Sequence, residues 1–150
     1  MTTMLDQLDA LYAKRQSIVM LTAYDYPSAR IAMAGGVDVI LVGDSAAMTV
    51  LGHASTREIS IDELLMLTRA VRRAVSGIPF IGDLPYGTYE ESDAHAVASA
   101  LRFVREAGCD AVKLDGGGAI DPRVRAIIVA VVPVFCHLVL PPQPCLPPRG

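Results

Sequence analysis

The chain predicts an α/β fold built on a parallel sheet, and three observations point there. Short apolar runs of strand length alternate with longer segments of helical character. No Asn-Gly or similar hairpin dipeptide joins two neighbouring runs, so the strands need crossover connections, which are right-handed in nearly all parallel sheets. Three successive runs also close on aspartate: Asp44 in VILVGDS, Asp83 in FIGDLP and Asp115 in AVKLDGG. Composition agrees with this class. Of 150 residues, 52% are hydrophobic and only 5% aromatic, so the core is made of Val, Ile, Leu, Met and Ala, the palette of strands covered on both faces.

Taken in order, MTTMLDQLDALYAKR reads as a short amphipathic helix; Asp6 and Asp9 stand where a signal peptide would carry basic residues. Ser17 to Asp25 is the first apolar run, followed by the helical YPSARIAMAGG with Gly35 and Gly36 suited to end it. Val37 to Gly43 is the second strand, and SAAMTVLGHAST separates it from a helix opened by a capping box of Ser60 and Glu63. Ile78 to Asp83 is the third strand. Ser92 to Ala107 is the next helix, stopped by Gly108 before a fourth strand from Asp110 to Leu114. Asp121 and Pro122 look like an N-cap and a first helical position, opening a short helix to about Val131. Pro133 to Leu138 is the fifth strand. The segment PPQPCLPPRG then permits neither helix nor central strand, which divides the chain into a domain over residues 1–140 and a proline-rich tail over 141–150.

A formal net charge of -3 provides no basic field for a phosphate backbone, which argues against nucleic acid and toward a small-molecule partner. Cys109, Cys136 and Cys145 form neither a CxxC pair nor an even disulfide framework, a pattern suited to a reducing compartment. The most apolar stretch, Ala126 to Leu140, is shorter than a membrane span and is interrupted by Pro133 and His137.

In parallel α/β folds ligands bind at the carboxyl ends of the strands, where Asp44, Asp83 and Asp115 all fall. Oxygen ligands suit Mg²⁺, which takes one or two carboxylates and leaves the other positions to water and substrate. A lone aspartate at a strand end is as readily a helix or turn cap; three in successive units favour a site. Lys113, two residues before Asp115, points to the same face and either binds a substrate carboxylate or forms a structural pair with aspartate. Ser45 is a hydrogen-bond donor for an anionic ligand or a local cap. The triple glycine from Gly116 lacks the spacing of a phosphate-binding fingerprint and reads as a tight turn. Of the histidines, His137 at a strand end is placed to face the site, whereas His53 in a loop and His95 on a helix favour structural or solvated roles.

At these same positions the chain resembles the ketopantoate (3-methyl-2-oxobutanoate) hydroxymethyltransferase family. The resemblance lies in TAYDYPSA, LVGDSAAMTVLGHAST, GDLPYGTY, VKLDGG and VPVFCHLVLPPQ, which together cover residues 16 to about 143. It implies a (β/α)8 TIM barrel, here limited to about five β/α units with a short N-terminal helix. It also implies Mg²⁺ held by Asp44, Asp83 and Asp115, and 2-oxoacid contacts from Asp44, Ser45, Asp83 and Lys113. The implied reaction moves a hydroxymethyl group from 5,10-methylenetetrahydrofolate to 3-methyl-2-oxobutanoate, giving 2-dehydropantoate for pantothenate and coenzyme A, in a cytoplasmic homo-oligomer.

Three departures qualify it. Asp115 stands where the family has glutamate, one methylene shorter. The family's GHLGLTPQ reads CHLVLPPQ, with Cys136, Val139 and Pro141 in place of two glycines and a threonine. The family's general base, a glutamate on a later strand, lies beyond residue 150, so no catalytic residue is assigned here and turnover by this chain alone is in question. The readings left open are a catalytically inactive fragment that binds metal and oxoacid or a partner subunit, and a related enzyme of the isocitrate lyase and phosphoenolpyruvate mutase type. A five-stranded nucleotide-binding domain is a weaker rival that lacks a GxGxxG turn.

Overall fold

A computed structural model describes residues 5–116 and 118–138. Five strands, β1 (Met20–Thr22), β2 (Val39–Val42), β3 (Phe80–Asp83), β4 (Ala111–Asp115) and β5 (Val134–His137), form one sheet. Every neighbouring pair is parallel. The strands lie in the order in which they occur along the chain, β1-β2-β3-β4-β5. A doubly wound nucleotide-binding sheet reverses its order at a switch point, whereas adding each strand on the same side generates consecutive units of a (β/α)8 barrel. The nucleotide-domain rival fails on this topology.

The helices are α1 (Asp6–Ala13), α2 (Tyr26–Ala34), a single short α3 (Ala46–Thr49), α4 (Ile61–Arg72), α5 (Asp93–Ala107) and α6 (Asp121–Val129). Ladder register sorts the strand residues into two faces, since side chains alternate and paired residues share a side. Ile40, Val42, Phe80, Val112 and Leu114 pack against the helices in the main core with Leu64, Leu65, Ala100, Phe103 and Ile127. The opposite, inner face carries Val39, Ile81 and Ala111, closed from below by Leu8 of α1. Gly82 lets α5 approach the sheet: a Cβ there would overlap the Phe103 ring and lie 3.0 Å from the Cys109 sulfur.

Several expected boundaries shift. The first strand is Met20–Thr22 rather than Ser17 to Asp25, because Asp25 leaves the sheet to cap α2. Its carboxylate accepts from the Ser28 amide at 2.7 Å, and Ser28 Oγ accepts from the Asp25 amide. The stretch SAAMTVLGHAST, which separates β2 from α4 as expected, contains α3 and the start of a 3-10 turn at Thr56–Glu58. Asp121 is not an N-cap. Ile120 holds that position with no side-chain bond, because the 3-10 turn Gly118–Ile120 runs straight into α6. The Ser60 and Glu63 capping box forms as expected, and Gly108 ends α5 in the left-handed conformation. Val139, Pro141 and the proline-rich tail lie outside the described residues.

Candidate functional site at the strand ends

The site begins with register. Asp83 is opposite Lys113 across β3 and β4, and Asp115 is opposite His137 across β4 and β5, so these four side chains stand in two adjacent rows of the inner face. Asp44 lies two residues past the end of β2. The strands therefore deliver chemistry to one edge.

Lys113 is the hub. Its Nζ donates to both oxygens of Asp83 at 3.0 and 2.9 Å and to Asp115 Oδ1 at 2.7 Å. His137 Nδ1 lies 2.9 Å from the same Asp115 oxygen. Asp83 Oδ2 also accepts from the Asp44 backbone amide at 3.3 Å, which ties the turn after β2 to the end of β3. Behind this row, the Tyr89 hydroxyl donates to the Asp115 carbonyl at 3.2 Å, and the hydroxyls of Tyr24 and Ser45 are 2.7 Å apart.

Burial sets the electrostatics. Asp83 is only 3% exposed, and the loss of hydration pushes its carboxyl up to about 7 despite the opposing pull of the Lys113 charge. Asp44 is raised for the same reason, again partly offset by Lys113, with a Thr56 side-chain hydrogen bond acting in the same lowering sense. For Lys113, burial pulls the ammonium down, but the Asp83 charge and the hydrogen bonds to both aspartates outweigh it and hold the group above its ordinary value. The site is thus a buried anionic row with one cation threaded through it.

Among the described residues no group of three or more carboxylate, histidine or cysteine side chains converges as a ready metal cage. The Lys113 ammonium lies between Asp83 and Asp115 instead. The donor set still fits Mg²⁺, which is ordinarily held by one or two carboxylates and completes its shell with water and substrate: Asp44 and Asp83 are hard oxygen donors at adjacent strand ends.

The structure brings together Asp44, Asp83, Lys113 and Asp115, with Ser45 in the turn beside them. His137 joins them through Asp115. His53 and His95 lie elsewhere, each beside a glutamate, Glu58 at 3.7 Å and Glu91 at 3.4 Å. After β4, Gly116 takes φ +124° and Gly118 φ +52°, as the turn reading requires. Sequence reasoning passed over Tyr24, Tyr89 and Thr56. Tyr24 and Tyr89 reach the site from loops and Thr56 from the start of a 3-10 turn, where no strand or α-helix periodicity marks a residue's direction; position alone was a signal for Tyr24, which sits just beyond the end of β1.

Residues 2–146 match the family model for ketopantoate hydroxymethyltransferase. The 3-methyl-2-oxobutanoate hydroxymethyltransferase of Moorella thermoacetica is 48% identical over 139 residues, covering 93% of this chain and 52% of the relative. Its namesake from Oleidesulfovibrio alaskensis is 50% identical over 126 residues, covering 84% and 44%. The chain spans about half the length of the curated relatives it matches. Among solved structures, a phosphonopyruvate hydrolase complexed with oxalate and Mg²⁺ superposes with a TM-score of 0.74 at 14% identity, covering 91% of this chain and 53% of that one. A 2,3-dimethylmalate lyase, a member of the phosphoenolpyruvate mutase and isocitrate lyase superfamily, gives 0.68 at 18% identity, covering 93% and 52%. Identity that low establishes a shared fold and nothing finer, whereas the sequence matches distinguish the families: this chain belongs to the ketopantoate hydroxymethyltransferase family.

Proposed function

We propose that this chain supplies the metal-binding and oxoacid-binding part of a site that transfers a hydroxymethyl group from 5,10-methylenetetrahydrofolate to 3-methyl-2-oxobutanoate. The product is 2-dehydropantoate, on the route to pantothenate and coenzyme A, and the setting is a cytoplasmic homo-oligomer. The observation that carries this reading is the row of Asp83, Lys113 and Asp115 on the inner face, beside Asp44 at the next strand end.

Asp44 and Asp83 would hold Mg²⁺, with Asp115 adding charge alongside. When bound there, the ion polarises the carboxylate and keto oxygens of the oxoacid and so acidifies the C-H beside the carbonyl. Lys113 then serves the substrate. Its three-donor ammonium is committed to Asp83 and Asp115, and with Asp83 turned to the metal the donor this frees binds the oxoacid's carboxylate and balances the charge that grows as the enolate forms. Ser45 donates a second hydrogen bond to that carboxylate. Asp115, one methylene shorter than the family's glutamate, spends one oxygen on both Lys113 and His137, and so acts chiefly by fixing the ammonium. No residue described above is given the task of removing the proton.

Calorimetric titration with 3-methyl-2-oxobutanoate, with and without Mg²⁺, tests the reading. Binding should require Mg²⁺ and vanish in Asp83→Asn; binding indifferent to both would sink it. Deuterium exchange at C3 of the bound oxoacid separates a catalytic chain from one that only binds. Mg²⁺-dependent exchange above a control without protein would show that a base does lie within this chain.

A further inference from the structure

We infer that Tyr24 is a positioning residue for Ser45, orienting its hydroxyl toward the oxoacid; the inference rests on the substrate contact assigned to Ser45 above. The first observation is the short hydrogen bond of 2.7 Å between the Tyr24 hydroxyl and Ser45 Oγ. The second is what Ser45 does not do. It stands just before α3 with helical backbone angles, φ -56° and ψ -15°, and makes no side-chain cap bond, since a capping serine needs extended backbone. Its hydroxyl is engaged by Tyr24 instead.

The surroundings fix both partners. Tyr24 packs its ring against the main core, and it is anchored on either side: the Ala23 amide donates to the Leu41 carbonyl at 3.0 Å, and Asp25 caps α2. Opposite, Gly43 leaves the space in which the serine hydroxyl sits, since a Cβ there would lie 3.0 Å from Ser45 Oγ and 3.8 Å from Asp83 Oδ2. The serine hydroxyl and the buried aspartate therefore share one small volume over Gly43. A phenol is a stronger donor than an alkyl alcohol, so the tyrosine hydrogen goes to Ser45 Oγ and the serine hydrogen is left to point into the site. A hydroxyl that accepts one hydrogen bond donates a stronger one. Tyr24 thereby makes Ser45 an aimed donor for a carboxylate.

The test is Tyr24→Phe in the full 150-residue chain, which keeps the packed ring and removes only the hydroxyl. Mg²⁺ affinity measured alone should be unchanged, while affinity for 3-methyl-2-oxobutanoate in saturating Mg²⁺ should fall about fivefold. Ser45→Ala should fall at least as far, and adding Tyr24→Phe to it should cost nothing more. Unchanged oxoacid affinity, or losses that simply add in the double variant, would overturn the inference. Should the unsubstituted chain bind no oxoacid, the proposed function fails on its own, and the Ser45 χ1 angle from three-bond couplings decides the matter of Tyr24. One rotamer that becomes averaged in Tyr24→Phe supports positioning; the same single rotamer in both proteins refutes it.

Discussion

At the scale of the residue, the site is governed by the cost of burying Asp83. Its carboxyl sits at about 7 in the folded chain against 3.8 when free, so between those values the folded state holds a proton that the unfolded state has lost. The contribution to stability is full below pH 3.8 and is lost as pH rises through 7. Asp44 shifts in the same direction. The carboxylates of Asp25, Glu63 and Glu106 are lowered by hydrogen bonds to Ser28, Ser60 and Arg102 respectively and act only in more acid solution, while Lys113 is raised above 10.5 and acts only in more alkaline solution. Metal-free protein should therefore lose stability from pH 5 to pH 8, read as a falling urea midpoint. A midpoint that stays level over that range would place the Asp83 carboxyl near or below its ordinary value. Metal binding runs the other way. Mg²⁺ must displace the Asp83 proton, so its affinity should strengthen by about tenfold per unit as pH approaches 7 from below and level off above it.

Lys113→Met separates the pair from the proton. At pH 8 it strips Asp83 of its cation, so the carboxyl must either stay a buried unpaired charge or take up a proton, and the chain should be destabilised by up to about 3 kcal/mol. At pH 5 Asp83 is neutral with or without the lysine, and the loss should be clearly smaller. Equal losses at the two values would mean that Lys113 contributes packing of its stem rather than charge.

At the scale of the element, Gly82 fixes how closely α5 lies on β3. Phe103 is fully buried and occupies the space a side chain on Gly82 would need, so Gly82→Ala should cost about 2 kcal/mol by forcing helix from sheet. Because Asp83 is the next residue, the variant should also weaken Mg²⁺ binding, whereas Ser60→Ala, which removes the cap of α4 at about 1 kcal/mol, should leave Mg²⁺ binding intact. Parallel urea and Mg²⁺ titrations of the two variants compare them. This level was largely legible in the sequence. Apolar runs locate β2 to β4 because these strands are buried on at least one side and β5 through its half-buried Val134 and Phe135, and the Ser60 box and Gly108 mark helix ends by chemistry that acts within a few residues. The ends of β1 were not legible, since Asp25 is compatible with both a strand end and a cap until the Ser28 hydroxyl is seen to close the box. Asp121 failed for a related reason: Asp-Pro signals a helix start, but the preceding 3-10 turn already supplies one. The shared face of Lys113 and Asp115 followed from period-two alternation, whereas the pairing of Asp83 with Lys113 came from ladder register, and Thr56 and Tyr89, outside any regular strand or α-helix, were visible only in three dimensions.

At the scale of the whole molecule, the five units leave exposed what a closed barrel hides. Among the described residues β1 and β5 each pair on one side only, and closing a barrel is what removes such edges. Met20 and Leu21 of β1 are 40% and 48% exposed, and Leu138 just past β5 is 76% exposed. Between the edges, the inner face forms a cavity of about 370 Å³ lined by Met20, Leu41, Ile81 and Phe135 under Lys113 and His137. Apolar surface of this kind beside unpaired backbone favours association, since it removes hydrocarbon from water and satisfies the ladder together. The isolated chain should therefore bind a fluorescent apolar dye while still folded and should self-associate as its concentration rises. Placing a charge on the inner face with Met20→Lys puts it on an edge strand, where charge opposes edge pairing; it should reduce association in sedimentation velocity while leaving the helical signal in circular dichroism unchanged. If association persists undiminished, it proceeds through the helical face, where Ile31 and Val129 are 74% and 82% exposed, and Ile31→Lys with Val129→Lys should abolish it instead.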